Sequence, residues 1–307
     1  MLLIQIVPKS TIGLFLVNVN LKLVWHFFQV DISVYKKWLP LCKQTIIAMN
    51  RVVLIGAGNL ATSLAYALKI HGCSVVQVYS RTMKSAKALA DKVDAKAIDS
   101  FGNIVTDASY YFVALPDDAI LQVAEKLPKL NGIVAHTSGS TPMSVLNRVQ
   151  APGFGVFYPF QTFSREKVIP FNNIPICLEA SDEETYTKLE LLAQKISDIV
   201  EPMNSEQRRW LHLTGVFACN FTNHMLSLAY SITAMHNIDF NIVKPLVLET
   251  ISKAFEGNPA DYQTGPAIRY DSVTLRRHAE MLKEFGLDEL YNQLSLSIQK
   301  LAQNRKL

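Results

Sequence analysis

Residues 52–55 are four apolar side chains in a row, followed by Gly56-Ala57-Gly58-Asn59-Leu60-Ala61 and then by apolar positions at helical spacing through Leu68. A short unbroken apolar run predicts a strand buried on both faces, the kind found inside a parallel sheet, and the spacing after it predicts a helix. The same alternation continues. Strands are expected at 75–79, weakly at 96–98, and at 110–115, 132–135, 155–157, 175–179 and 198–201, with helices around 86–90, from Ala119 onward and at 182–196. Strands alternating with helices over this length predict an α/β fold, a doubly wound and mostly parallel sheet covered on both faces. Beyond Pro202 the period changes to long amphipathic helices at 205–234, 240–256, 272–285 and 288–302, which predicts an all-helical C-terminal domain. The expected division is an extension at 1–48, a nucleotide-binding domain at 49–202 and a helical substrate and dimerisation domain at 203–307.

The small residues between the first strand and its helix carry the first chemical signal. Gly56, Gly58 and Ala61 form a Gly-x-Gly-x-x-Ala pattern in the strand–turn–helix setting that a dinucleotide fingerprint requires. Gly56 permits the turn, Gly58 leaves room for a pyrophosphate, Ala61 keeps helix and strand close, and the backbone of Asn59 and Leu60 begins the helix whose unpaired N–H groups favour an anion. The second strand runs into Ser80-Arg81-Thr82 and ends in no carboxylate. An NAD site uses an acid there for the ribose 2′-OH; a guanidinium flanked by hydroxyls instead suits a 2′-phosphate, so NADP (NADPH) is the expected cofactor. Arg81 and Lys84 also suit a solvated helix start. Leu115 and Pro116, in the loop after a central strand, are expected to touch the adenosine or ribose side. Asp117 is expected to cap the following helix. His136 and Ser138, at the end of the next strand, are placed to position substrate or cofactor, although a His beside Thr and Ser also suits a satisfied loop.

Composition narrows the classes. The chain has 307 residues, 49% apolar and 18% charged, with a net charge of +4 that no run concentrates, so neither nucleic acid nor membrane is an expected partner. Cys42, Cys73, Cys177 and Cys219 lack metal-ligand or redox spacing; they read as buried thiols of a reducing cytoplasm, and no metal site is expected. The segment 1–48 is aromatic and apolar, but lysines and an aspartate interrupt its runs well short of the roughly 20 residues that span a bilayer. Met49 is the expected natural start, an interaction arm being the alternative.

In the helical half, His212, Cys219, Asn220, Asn223 and Ser227 fall on one side of a helix at 100° per residue. Such a stripe faces a polar cleft, another helix or a second subunit. The loop Thr264-Gly265-Pro266-Ala267-Ile268-Arg269-Tyr270-Asp271 offers Thr264, Arg269 and Asp271 to a substrate, or a cap by Asp271 or Ser272 to the next helix. The last two helices are expected to pair in a homodimer.

The fingerprint, Ser80-Arg81-Thr82, His136-Thr137-Ser138-Gly139, Tyr158-Pro159-Phe160-Gln161-Thr162-Phe163, Asn220-Phe221-Thr222-Asn223-His224 and Thr264-Gly265-Pro266 together resemble a bacterial family of Rossmann-like proteins whose C-terminal helical domain is uncharacterised. That family is distantly similar to pyrroline-5-carboxylate reductase and deazaflavin-dependent NADP oxidoreductases. The resemblance implies an NADP-linked oxidoreductase acting on a small carbonyl or imine, with a cleft between two domains and a dimerising helical half. Hydroxyacid dehydrogenases put a Lys and an Asn on the corresponding helix; the stripe here has no Lys, so that mechanism is not expected. A positioned group near neutral pKa best supplies the proton that accompanies hydride transfer. His212 is therefore the expected donor, with His136 as the alternative acid, Asn220 and Asn223 as orienters and Arg269 as an anchor for a carboxylate or phosphate. A catalytically silent NADP sensor is the alternative from another class.

Overall fold

The structure is a computed structural model, and it describes residues 50–164 and 167–304. The expected extension, 1–48, and the expected start at Met49 lie outside the described residues.

Strand β1 (Arg51–Ile55) sits between β2 (Ser74–Tyr79) and β4 (Tyr110–Val113), and residues 52–55 are fully buried. Alternation explains the unbroken apolar run. Val52 and Leu54 join a core with Leu64, Leu68 and Phe112, whereas Val53 and Ile55 join a separate core with Tyr111, Val113 and Ile120. Each face of the strand thus has its own cover, and neither can be polar. Helix α1 (Asn59–Ile70) returns the chain to β2, and α2 (Met83–Val93) to β3 (Lys96–Ile98). After β4, α3 (Asp117–Ala124) leads to β5 (Ile133–His136), which is followed by β6 (Phe154–Pro159).

The eight strands run in the order β3-β2-β1-β4-β5-β6-β7-β8. All neighbours are parallel except β6 and β7 (Ile176–Ala180), paired antiparallel from Gly155 opposite Ala180 to Pro159 opposite Ile176. Helix α4 (Glu183–Ile196), capped by Asp182, precedes the edge strand β8 (Val200–Pro202). The winding reverses between β1 and β4, and a doubly wound sheet opens its binding crevice at the carboxyl ends of the strands on either side of such a reversal.

The long helix expected at 205–234 is three consecutive stretches: α5 (Ser205–Gly215), a π-helical stretch (Val216–Phe221) and α6 (Thr222–Met235). The chain divides into two compact units between Thr214 and Gly215, so α5 belongs with the sheet. The second unit contains α6, α7 (Lys244–Ala254), α8 (Ser272–Leu282) and α9 (Asp288–Asn304). Asp271 caps α8 by accepting from the Thr274 backbone N–H at 3.1 Å, the capping alternative for the 264–271 loop. His278 Nδ1 and Tyr291 Oη, 2.9 Å apart, tie α8 to α9. Among the described residues of this unit Ala267 alone is fully buried, while Phe255 is 89% exposed and Leu246 69%. Among the described residues no helix is long and apolar enough to cross a membrane.

Two local expectations change. The helix after β4 begins at Asp117 itself with Pro116 at its cap, so the Asp117 side chain caps nothing and instead accepts from the Ser140 hydroxyl. Cys73 and Cys177 are buried as expected, but Cys219, in the π-helical stretch, is exposed. Cys42 lies outside the described residues.

Candidate active site at the strand ends

Gly56 has φ of +127°, and an added Cβ would lie 2.1 Å from the Ala114 carbonyl oxygen; only glycine meets both conditions. Its N–H donates to the Tyr79 carbonyl at 2.9 Å, while the Ala114 N–H donates to Ile55 at 2.8 Å. The turn is thereby fixed to the ends of both β2 and β4. At Gly58, by contrast, an added Cβ would meet nothing within 4 Å, so the space before the start of α1 is open. No side chain caps this helix, and Gly58 precedes Asn59, Leu60 and Ala61, whose N–H groups belong to the first turn and have no partner inside the helix. Ala61 is fully buried against the sheet. A cavity of about 220 Å³ adjoins the turn, lined in part by Gly58, Asn59, Thr62, Ser85 and Lys92. The Asn59 side chain donates to the Phe163 carbonyl at 3.0 Å and so draws the segment after β6 toward this helix start.

At the end of β2, Arg81 is exposed. Thr82 is committed locally: its hydroxyl caps α2, accepting from the Ser85 N–H at 3.3 Å and donating to the Ser85 hydroxyl at 2.9 Å. The Ser80 N–H donates to the Ile98 carbonyl at 3.1 Å. Leu115 is half-buried beside Gly56, and Pro116 is exposed at the rim.

Across β5 and β6 the polar groups gather. Tyr158, at the end of β6, is 8% exposed, and its Oη is 3.2 Å from His212 Nδ1 on α5. Burial pushes the Tyr158 phenol up to about 12. An added Cβ on Gly139 would lie 2.7 Å from both His212 Nδ1 and Tyr158 Oη, so the absence of a side chain there is what lets the two rings meet. Asp117 faces the same group. Burial alone would raise its carboxyl pKa, but bonds from the Ser138, Ser140 and Thr141 hydroxyls, with a smaller contribution from His212, leave it below the usual range.

His136 does not suit the role of alternative acid. It is fully buried, its Nδ1 accepts from the Ser138 N–H at 3.2 Å, and burial, followed by the nearby Arg208 charge, brings its pKa down to about 4. A ring held neutral in this way has no proton to give near pH 7. Its Nε2 has no hydrogen-bond partner of normal geometry.

Arg208 is fully buried, four residues before His212 on α5. Its Nη1 pairs with Glu179 Oε2 of β7 at 2.5 Å, its Nε donates to the Ser138 carbonyl at 3.1 Å and its Nη2 to the Thr141 carbonyl at 2.7 Å. Of these residues, Arg208 has no role expected from the sequence, Tyr158 stands there only within a motif, and Asp117 only as a helix cap. The available signal was the i, i+4 spacing of Arg208 and His212, which puts both on one side of a helix.

Asn220, Asn223 and Arg269 lie in the second unit, and each is exposed. The π-helical stretch also interrupts the single α-helix expected to carry His212 and the two asparagines. Its wider i→i+5 turns set everything downstream off the 100° progression, by roughly one residue over this length.

Comparison with known proteins bears on the same residues. Residues 51–135 match the family model described as NADP oxidoreductase coenzyme F420-dependent, and residues 174–298 match a domain of unknown function, DUF2520. The solved structure of BF3122 from Bacteroides fragilis, provisionally named an NADP oxidoreductase, is 42% identical, with a TM-score of 0.76 over 82% of this chain and 98% of that one. The chain belongs to this family. This chain joins an N-terminal Rossmann domain of the F420-dependent NADP oxidoreductase type to a DUF2520 C-terminal domain. Two other structures share the fold at low identity. One is 1-pyrroline-5-carboxylate reductase from Streptococcus pyogenes, at 12% identity and a TM-score of 0.55 over 83% of this chain and 98% of that one. The other is an imine reductase from Myxococcus stipitatus in complex with NADP+, at 13% identity and a TM-score of 0.57 over 83% and 93%. No curated protein matches the chain. The family's Rossmann match ends at residue 135, so Tyr158, Arg208 and His212 all fall outside it, and the DUF2520 match takes in both Arg208 and His212.

Proposed function

We propose that this protein is an NADP-dependent oxidoreductase that transfers a hydride between NADPH and a small carbonyl or imine substrate. The observation that carries the proposal is the pairing of Tyr158 Oη with His212 Nδ1 on the same sheet edge as the open turn at Gly58. The turn has the form a pyrophosphate needs, with unpaired N–H groups, no side chain at Gly58 and no carboxylate after β2. Gly56, Gly58, Asn59, Leu60 and Ala61 would hold the pyrophosphate, Ser80 and Arg81 the 2′-phosphate, and Leu115 and Pro116 the adjoining ribose. Thr82 would contribute through its cap of α2 rather than by direct contact.

NADPH, when bound, supplies the hydride. The chain's task is to deliver a proton to the oxygen or nitrogen that gains charge. With its pKa raised, Tyr158 keeps its hydroxyl proton, and in the tautomer this reading assigns the hydroxyl donates to His212 Nδ1. That bond places the remaining imidazole proton on Nε2, the nitrogen left for a substrate. Asp117 adds negative charge near the pair. Asn220 and Asn223 orient the polarised atom and Arg269 anchors an acidic group; these three roles rest on the sequence.

The second unit dimerises in this reading. A helical unit with almost no buried side chain and with Phe217, Leu246 and Phe255 exposed gains its core from a second copy. The unpaired thiols of Cys73 and Cys177 suit the cytoplasm. The test is NADPH consumption against a panel of 2-oxo acids and cyclic imines. An inactive His212→Ala protein that still binds NADPH supports the assignment, and full activity in that variant refutes it.

A further inference from the structure

We infer that Arg208 is the positioning residue of this site: its buried guanidinium holds the β5 loop and α5 in one register, and so fixes the Tyr158–His212 pair. The inference rests on the proposed role of that pair. Burying a guanidinium completely costs several kcal/mol unless every donor is used and the charge is matched. Here Nη1 meets Glu179 Oε2, Nε meets the Ser138 carbonyl, and Nη2 meets both the Thr141 carbonyl and, at 3.2 Å, Ser205 Oγ. Ser205 Oγ in turn donates to Glu179 Oε2 at 2.7 Å and accepts from the Met143 N–H at 3.0 Å.

One side chain therefore joins three elements. Glu179 lies on β7, Ser138 and Thr141 bracket Gly139 in the loop after β5, and Arg208 shares α5 with His212. That matters because the Tyr158–His212 contact depends on where Gly139 lies: with an added Cβ 2.7 Å from both atoms, the loop cannot move toward the rings without displacing them. An arginine whose rigid fork makes four bonds to three elements limits such movement. A lysine offers a single charge on a flexible stem and cannot span two carbonyls and a carboxylate in fixed directions. Arg208 is fully buried and spends four of its five N–H donors inside the protein, so its action is indirect.

The alternative is that Arg208 and Glu179 only stabilise the fold. The double variant Arg208→Met/Glu179→Leu separates the two, because it removes the ion pair without leaving a buried charge alone, and such exchanges are often neutral for stability. In the full-length protein we expect the double variant to melt near the wild-type temperature and to bind NADPH with unchanged affinity by calorimetry. Turnover of the best substrate from the oxo-acid and imine panel should fall at least 10-fold in kcat with little change in KM, and the His212 imidazole NMR resonances should move. Arg208→Lys should keep part of the activity. Wild-type kcat together with wild-type His212 resonances in the double variant would overturn the inference. If the wild-type protein turns over nothing in the panel, the oxidoreductase reading fails on its own, and the His212 resonances still decide the role of Arg208. Should the double variant not fold, Arg208→Lys carries the same two readouts, and an unmoved His212 resonance in it would overturn the inference.

Discussion

Tyr158 Oη stands 3.2 Å from His212 Nδ1, and the two side chains come from elements 54 positions apart in the chain. The bond joins a buried phenol that keeps its proton to the exposed imidazole of His212 on α5. Replacing Tyr158 by Phe should retain the packing and remove only the donor. We expect kcat to fall about 10-fold, the worth of one hydrogen bond of about 1.4 kcal/mol. His212→Ala should cost about 100- to 10,000-fold, the usual range for a lost proton donor. Steady-state kinetics on both variants, with NADPH affinity measured separately, checks the order.

Two glycines of the fingerprint should respond in opposite ways. Gly56→Ala forces a Cβ against the Ala114 carbonyl at φ of +127°, so it should destabilise the fold by about 3 kcal/mol or more. Gly58→Ala enters open space, so its melting temperature should stay close to the wild-type value while NADPH affinity falls. Thermal melts and calorimetry on the two proteins distinguish a residue required by the backbone from one required by the ligand.

Much of this was legible in the sequence and some was not. The fingerprint and the alternating strands are local patterns: the two-sided burial of β1 requires an apolar run, and a run of that kind is visible without a structure. Arg208 was not legible because its partners, Ser138, Thr141 and Glu179, are distant in the chain, and a charged helix residue normally signals solvent. The break within the helix of the polar stripe was not legible for a different reason. Periodicity arguments assume one helix type, and the π-helical stretch Val216–Phe221 interrupts it.

His136 gives the fold a pH dependence. Its pKa is about 4 when folded, below the value near 6.5 of a free imidazole, so the neutral ring is favoured by folding. The associated stability is present in full above pH 6.5 and is lost as the pH falls toward 4, up to about 3 kcal/mol for a group this buried. Denaturant unfolding of the wild type should show this decline between pH 6.5 and 4, and His136→Gln should flatten it. An equal slope in both proteins would assign the decline to other groups.

The second unit should not persist as a monomer. Sedimentation at micromolar concentration is expected to give a dimer, and a charge placed on its exposed apolar surface, as in Leu246→Asp, should shift the equilibrium toward monomer or aggregate.

The proposed activity requires a phosphorylated nicotinamide nucleotide at the Gly58 turn, with Arg81 reading its 2′-phosphate. Calorimetric titration of the wild type and Arg81→Ala with NADPH and NADH tests this directly. The expected result is a wild-type preference for NADPH that drops about 10- to 100-fold in Arg81→Ala, the worth of one or two charge-assisted bonds. No heat with either nucleotide, or tighter binding of NADH by the wild type, would contradict it.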